Sequence, residues 1–297
     1  MALFDAEPGA AARARAQIAR NFADLAAQKL IDDPDGALSR IHVAESLPAA
    51  LEGADYAQES VFEQVDVKRR VFAEIDRVIG PDTLVGSSSS GIPASAFTEG
   101  LRANARYLIA HPVNPPYLVP VVELVPAPWT APATTDAVHA LMTLVGQVPV
   151  RVNREIEGFI LNRLQAVLLM EAWRLVEQGY ASVEDVDRTI AHGLGLRWCL
   201  MGPFETIDLN APGGIADYAR RLGPLYQRIA ASTIEHKVWD ETLIAAVERQ
   251  RRAVLPVEDL ATRGEWRDRR LMALNAHKQA TSIIQAAAPP PAREADT

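Results

Sequence analysis

The sequence predicts an α/β domain with a largely parallel sheet, followed by a domain built of helices alone. Three observations carry this expectation. Short apolar runs alternate with helical stretches as far as Val152. Strand signals then stop, and from Glu155 onwards helix follows helix. The composition, 48% hydrophobic and 23% charged over 297 residues, is that of a globular chain long enough for one large domain or two medium ones.

Ala2-Leu3-Phe4-Asp5 reads as the end of a strand. Glu7 to Leu30 reads as a helix, with Ile18, Phe22 and Leu25 at helical spacing. Asp32-Asp33-Pro34-Asp35-Gly36 reads as a turn. Asp55 to Val61 is the next strand, and Val65 to Ile79 the next helix. That helix places Val67, Val71, Ile75, Val78 and Ile79 on one face. Gly80-Pro81-Asp82 stops it, and Thr83-Leu84-Val85 is a short strand running into Ser87–Ser90. Tyr107–Ala110, Leu118–Val125 and Val148–Val152 are further strands. Ile160, Leu164, Val167, Leu168, Ala172, Leu175 and Val176 form the apolar stripe of one long helix ending near Gly179. Ser182, three residues before Asp185, caps the next helix, and Gly193 closes it. The expected division is 1–152, 153–286 and a disordered tail, 287–297, rich in proline.

Thirty basic against 38 acidic residues give a net charge of −8, which argues against a nucleic-acid partner or a polybasic membrane surface. No apolar window is long enough to span a membrane, and the N-terminal stretch lacks the apolar segment of a signal peptide. The single cysteine, Cys199, excludes an intrachain disulfide framework and fits a reducing compartment, so a cytoplasmic enzyme is expected. His42, His139, His192, His236 and His277 lack metal-ligand spacing, and no metal is expected.

The stretch richest in chemistry runs from Ser87–Ser90 through His111-Pro112-Val113-Asn114-Pro115-Pro116 to Glu123. His111 closes an apolar strand, and ligands of open α/β sheets bind at the carboxyl ends of strands. Three prolines stiffen the loop behind it. Glu123 lies inside the next apolar run, where an unpartnered carboxylate is costly. If the chain reverses between them, the two can pair, and a histidine oriented by a carboxylate is a competent general base. A structural histidine, a glutamate held by an arginine and a serine-rich linker are the plainer readings of the parts. Asn162 and Arg163 are a second polar element, set among apolar residues at the opening of the long helix.

These residues resemble the L-3-hydroxyacyl-CoA dehydrogenase family, most closely its lambda-crystallin or L-gulonate 3-dehydrogenase branch. The resemblance rests on Ser87–Ser90, Ala110–Pro126, Val145–Gln165, Glu171–Gly179, Gly193–Asn210 and Glu265–Leu271. It implies a Rossmann-type domain, a helical C-terminal domain that carries a homodimer contact, and oxidation of a 3-hydroxyl with NAD. The substrate would be a 3-hydroxy acid or an acyl-CoA. The matching motifs make His111 the base, Glu123 its orienting carboxylate, and Ser90 and Asn162 the substrate-side donors. Asp5 would bind the adenosine ribose, and Glu63, Lys68, Ser90 and Asn114 would lie near the cofactor. The family carries GxGxxG and one strand–helix unit ahead of a segment like Ala2–Pro8. This sequence has no GxGxxG, so the resemblance implies a sheet without its central strand and weak NAD binding by the chain alone. The alternative is a truncated, non-catalytic binding or structural relative.

Overall fold

The computed structural model describes residues 1–232 and 239–287. The expected tail lies outside the described residues from 288 onwards, while Ala287 ends the last helix. The chain divides into two compact units. The first joins Met1–Asn162 to the C-terminal segment from Arg263, and the second is Arg163–Thr262. These bounds differ from 1–152 and 153–286, above all in grouping the C-terminal helix with the sheet.

In the first unit the strands are β1 (Ala2–Leu3), β2 (His42–Val43), β3 (Tyr56–Glu59), β4 (Leu84–Ser87), β5 (Tyr107–Pro112), β6 (Val121–Pro126) and β7 (Val148–Arg151). The helices are α1 (Ala10–Ala27), α2 (Pro34–Ser39), α3 (Leu47–Leu51), α4 (Val65–Val78), α5 (Ser95–Thr98) and α6 (Pro132–Leu144), and α7 (Leu161–Glu177) starts here. The strands form two separate sheets. β1 pairs with β2 in parallel, and the other five run in the order β3-β4-β5-β6-β7. The break falls between β1 and β3, where the family resemblance places a central strand.

The sheet is parallel except at β5 and β6, which are antiparallel. That reversal brings the start of β6 to the edge where β3, β4 and β5 end. Sequence spacing places β6 at Leu118, but it begins at Val121. Leu118 and Val119 instead turn back on the carbonyl of Pro115.

Local chemistry explains other departures. Asp33–Gly36 is not a plain turn: Asp33 caps α2 through the amide of Gly36, with Pro34 in the first turn. Ser46 caps α3 in the same way, an element the periodicity does not reveal. On α4 the buried line is Lys68, Phe72 and Ile75, while Val78 is exposed. Phe72 sets this rotation by packing against Phe97 and Tyr107, with ring centroids 4.9 and 5.3 Å away.

The second unit holds most of α7, then α8 (Val183–Thr189), a π-helical turn (Ile190–Leu194), α9 (Gly195–Trp198), α10 (Pro203–Leu209), α11 (Gly214–Ser232) and α12 (Glu241–Val254). Ser182 caps α8 by accepting from the amide of Asp185 at 3.1 Å. Gly193 does not close this segment, because the π turn carries the chain straight into α9. The stripe on α7 is not a core face within the unit: Leu164 is 62% and Val167 73% exposed. Only Val183, Thr206 and Ala211 are fully buried among the unit's described residues. The last helix, α13 (Leu260–Ala287), ties back to the first unit: Asn275 Nδ2 donates to the carbonyl of Leu118 at 2.7 Å.

Gly86 lies in the middle of the sheet, where a Cβ would strike the Tyr56 hydroxyl and come within 2.7 Å of Ala110 Cβ. Gly86→Ala is therefore expected to lower stability by about 1–3 kcal/mol, the usual cost of overpacking. Denaturant unfolding checks this; an unchanged midpoint would show that β3 and β5 can give way.

Candidate active site

The carboxyl edge of the sheet collects the side chains of interest because β3, β4 and β5 all end there and β6 starts there. His111 and Glu123 are direct cross-strand partners on β5 and β6. Facing residues of adjacent strands project to the same side, so their side chains must meet. His111 Nδ1 and Glu123 Oε2 are 3.0 Å apart, and the residues are 6% and 1% exposed.

A carboxylate this deeply buried needs several donors. Glu123 Oε1 accepts from the amides of Ile160, at 2.8 Å, and Leu161, at 3.0 Å. These are free amides of the opening turn of α7, which also contributes a positive dipole end. The chain reaches that turn through two left-handed residues, Gly158 at φ 74° and Phe159 at φ 51°. A left-handed phenylalanine is a strained conformation. Its ring is fully buried, with its centroid 5.8 Å from that of the His111 imidazole. Burial pushes the Glu123 carboxyl up, but the hydrogen bonds from His111, Leu161 and Ile160 outweigh it and hold the group below the usual carboxylate value.

An acceptor-only carboxylate requires the proton of the shared hydrogen bond to sit on Nδ1. His111 Nε2 has no hydrogen-bond partner among the described residues and carries the lone pair in the neutral ring. The arrangement can take a proton at Nε2 and stabilise the resulting imidazolium.

Beside it, Asn162 Nδ2 donates to the carbonyl of Ser90 at 2.6 Å. The structure thus brings together two residues 72 positions apart. Ser90 Oγ and Asn162 Oδ1 have no other partner among the described residues. Glu63 Oε1 accepts from Ser89 Oγ and from the amides of Ser90, Gly91 and Ile92. Burial raises this carboxyl too, but the Ser89 hydroxyl, the Gly91 and Ile92 amides and the Lys68 ammonium together lower it. Lys68 is 1% exposed, 3.1 Å from Glu59 and 3.7 Å from Glu63. Glu59, Ser87 and the Glu59–Lys68 pair were not visible as a unit in the sequence; the signal was a glutamate ending a strand and a lysine nine residues on.

The residues expected on the dinucleotide side lie after strands of both sheets. Asp5 follows β1 and is exposed; its Oδ1 accepts from the amide of Glu7 at 2.7 Å, and its Oδ2 has no partner among the described residues. Asn114 is exposed in the loop after β5. This donor set fits a dinucleotide: a free carboxylate oxygen suits ribose hydroxyls, and neutral amide and hydroxyl groups suit a nicotinamide. NAD held by such a set would supply the acceptor for a hydride. Lys68, by contrast, meets Glu59 and Glu63 inside the protein.

Depressed carboxyls make the site acid-labile. Glu63 and Glu123 contribute stability that is complete above the ordinary value of 4.5 and is lost as pH falls through their lower folded values. The unfolding free energy is expected to fall on acidification through that range, and less steeply in Glu123→Gln. Equal slopes for both proteins would contradict this.

The family model of the 3-hydroxyacyl-CoA dehydrogenase NAD binding domain matches residues 1–156, and that of the C-terminal domain matches residues 158–253. Lambda-crystallin of Oryctolagus cuniculus is 43% identical, with 78% of this chain aligned to 73% of that protein. L-carnitine dehydrogenase of Streptomyces griseus subsp. griseus is 34% identical over 82% of this chain and 74% of the relative. A solved structure of an NAD+-dependent pyridine carboxylic acid dehydrogenase (FHMPC 5-dehydrogenase) superposes with a TM-score of 0.78 at 26% identity, covering 92% of this chain and 89% of that one. Because both halves are matched in order over nearly the whole described length, the chain belongs to the 3-hydroxyacyl-CoA dehydrogenase family of NAD-dependent oxidoreductases.

Proposed function

We propose that the protein oxidises the 3-hydroxyl of a 3-hydroxy acid or an L-3-hydroxyacyl-CoA, with His111 as general base. The observation that carries this is the 3.0 Å contact between His111 Nδ1 and Glu123, which leaves Nε2 as the proton acceptor. His111 would take the hydroxyl proton from oxygen at Nε2 while the hydride leaves the carbon that bears that hydroxyl, bound NAD being its acceptor. Glu123 stabilises the imidazolium across the Nδ1 hydrogen bond and keeps the ring in orientation. Ser90 Oγ and Asn162 hold the substrate oxygen, where a well-placed donor is worth about 2.7–4 kcal/mol in the transition state. Asp5 and Asn114 hold the dinucleotide.

Relatives named for carnitine and acyl-CoA substrates support both arms of the substrate class, and the branch that the sequence resembles adds L-gulonate as a candidate small hydroxy acid. A cytoplasmic location belongs to the same reading, supported by the lone cysteine. No helix among the described residues is long and apolar enough to cross a membrane.

The second unit supports a homodimer. A hundred-residue segment with three buried residues among those described has too small a core to stand alone. Its exposed apolar residues, among them Leu164, Val167, Leu200, Phe204 and Leu209, supply the depleted-charge surface of an obligate interface. Light scattering at micromolar concentration is expected to give twice the chain mass; a folded monomer would reject this interface.

For the chemistry, NADH formation is followed with L-gulonate, L-carnitine and 3-hydroxybutyryl-CoA. At least one is expected to turn over. His111→Gln is expected to cut kcat by about 100- to 10,000-fold, the usual worth of a positioned base, with NADH affinity kept. Full activity of His111→Gln would remove the base assignment.

A further inference from the structure

We infer that Glu63 is a positioning residue: its carboxylate is the acceptor around which the Ser89–Ile92 loop is built, and through that loop it sets Ser90 against Asn162. The inference rests on the proposed roles of Ser90 and Asn162.

The geometry is that of a clamp. One oxygen, Oε1, receives four donors: Ser89 Oγ at 2.7 Å and the amides of Ser90, Gly91 and Ile92 at 3.0, 3.0 and 3.2 Å. Three successive amides turned toward one point form a concave anion receptor, and here the chain fills it with its own carboxylate. The other oxygen faces Lys68 at 3.7 Å.

The clamp is anchored from beneath. The Lys68 ammonium is held by Glu59 Oε1 and Oε2 at 3.1 and 3.2 Å. Glu59 also accepts from Ser87 Oγ at 2.5 Å and from the amide of Val61 at 2.6 Å. The ends of β3 and β4 are thereby locked to α4, and Glu63 extends the lock to the loop that leaves β4. The same loop passes the constraint on, since the Ser90 carbonyl accepts from Asn162 at 2.6 Å. Without the clamp, the amides of Ser90 and Gly91 lose their acceptor and must find water, while Ser89 Oγ keeps the Ile92 carbonyl at 2.8 Å and the Ile92 amide keeps Ser89 Oγ at 3.2 Å. Displacements of about 1 Å at a reacting centre can cost on the order of 100-fold in rate. Glu63 therefore acts at a distance, by holding Ser90 in register with Asn162.

Reach and charge are separable. Glu63→Gln keeps an oxygen at the clamp position and loses the charge. Glu63→Asp keeps the charge and withdraws the oxygen by one methylene. The expected result is that amide hydrogen exchange of Ser90 and Gly91 accelerates at least tenfold in Glu63→Asp and stays within threefold of wild type in Glu63→Gln. This readout needs neither substrate nor cofactor. With the substrate that turns over best in the panel above, kcat/KM is expected to drop at least tenfold in Glu63→Asp and to recover in Glu63→Gln. Glu63→Asp combined with Asn162→Ala is expected to be no more than threefold worse than the poorer single variant. The inference is overturned if Asp preserves loop protection and activity while Gln loses both, since charge would then be the operative property. Multiplying losses in the double variant would also overturn it. Its failure is distinguishable from that of the proposed chemistry, because the exchange measurement does not involve His111 at all.

Discussion

The site depends on where the Glu123 carboxylate finds its partners. It is almost completely buried, so each oxygen must be satisfied inside the protein. One oxygen takes the His111 ring and the other takes two amides from the start of α7. That single group therefore joins β5, β6 and the first turn of the long helix. The antiparallel turn of β6, otherwise an irregularity in a parallel sheet, is what places Glu123 opposite His111. The left-handed pair Gly158–Phe159, strained at Phe159, is what aims the two amides. Strain of this kind persists only where the surroundings repay it, and here the gain is a satisfied buried charge.

Much of this was legible in the sequence, and for a physical reason. His111 and Glu123 announce themselves because a polar residue within an apolar run is costly unless it is used. The Ser87–Ser90 run was visible as a loop at a strand end, and Asn162 as a polar residue on an apolar helix. What could not be read was the contact that joins them, since a side chain reaching a carbonyl 72 residues away leaves no periodic trace. Phe159 was hidden for a related reason: it sits in an apolar stretch that reads as helix, and only its positive φ sets it apart. The face of α4 was read in part: Val71, Ile75 and Ile79 pack on the core, but Lys68 and Phe72 were missed, Lys68 because it counts as polar in any pattern although Glu59 makes it a core residue. Two-residue strands such as β2 are too short for an alternating signal, and α3 is a single turn.

The two units differ in how they meet the need for a core. The first closes its core around Phe72, Phe97 and Tyr107 beneath the sheet and keeps its polar network at the carboxyl edge. The second is held by a few isolated contacts: the Ser182 cap, the Trp173–Trp239 stack at 4.4 Å and the bond from the Val183 amide to Gln250. Amphipathic periodicity found α7 and the serine cap found α8, but periodicity could not say whether the apolar stripe of α7 meets its own chain. The stripe is exposed within the unit, which is why apolar periodicity there points to association rather than to a private core.

The central claim is that Glu123 fixes His111 with a proton on Nδ1 and a bare lone pair on Nε2. Nitrogen NMR of protein carrying 15N-labelled histidine reads this directly near pH 8, where an imidazole is ordinarily neutral. The predicted spectrum gives His111 a protonated, pyrrole-like Nδ1 and an unprotonated, pyridine-like Nε2, with the pattern lost in Glu123→Gln. A His111 signal with the proton on Nε2 and none on Nδ1 would contradict the pairing and the base assigned to it.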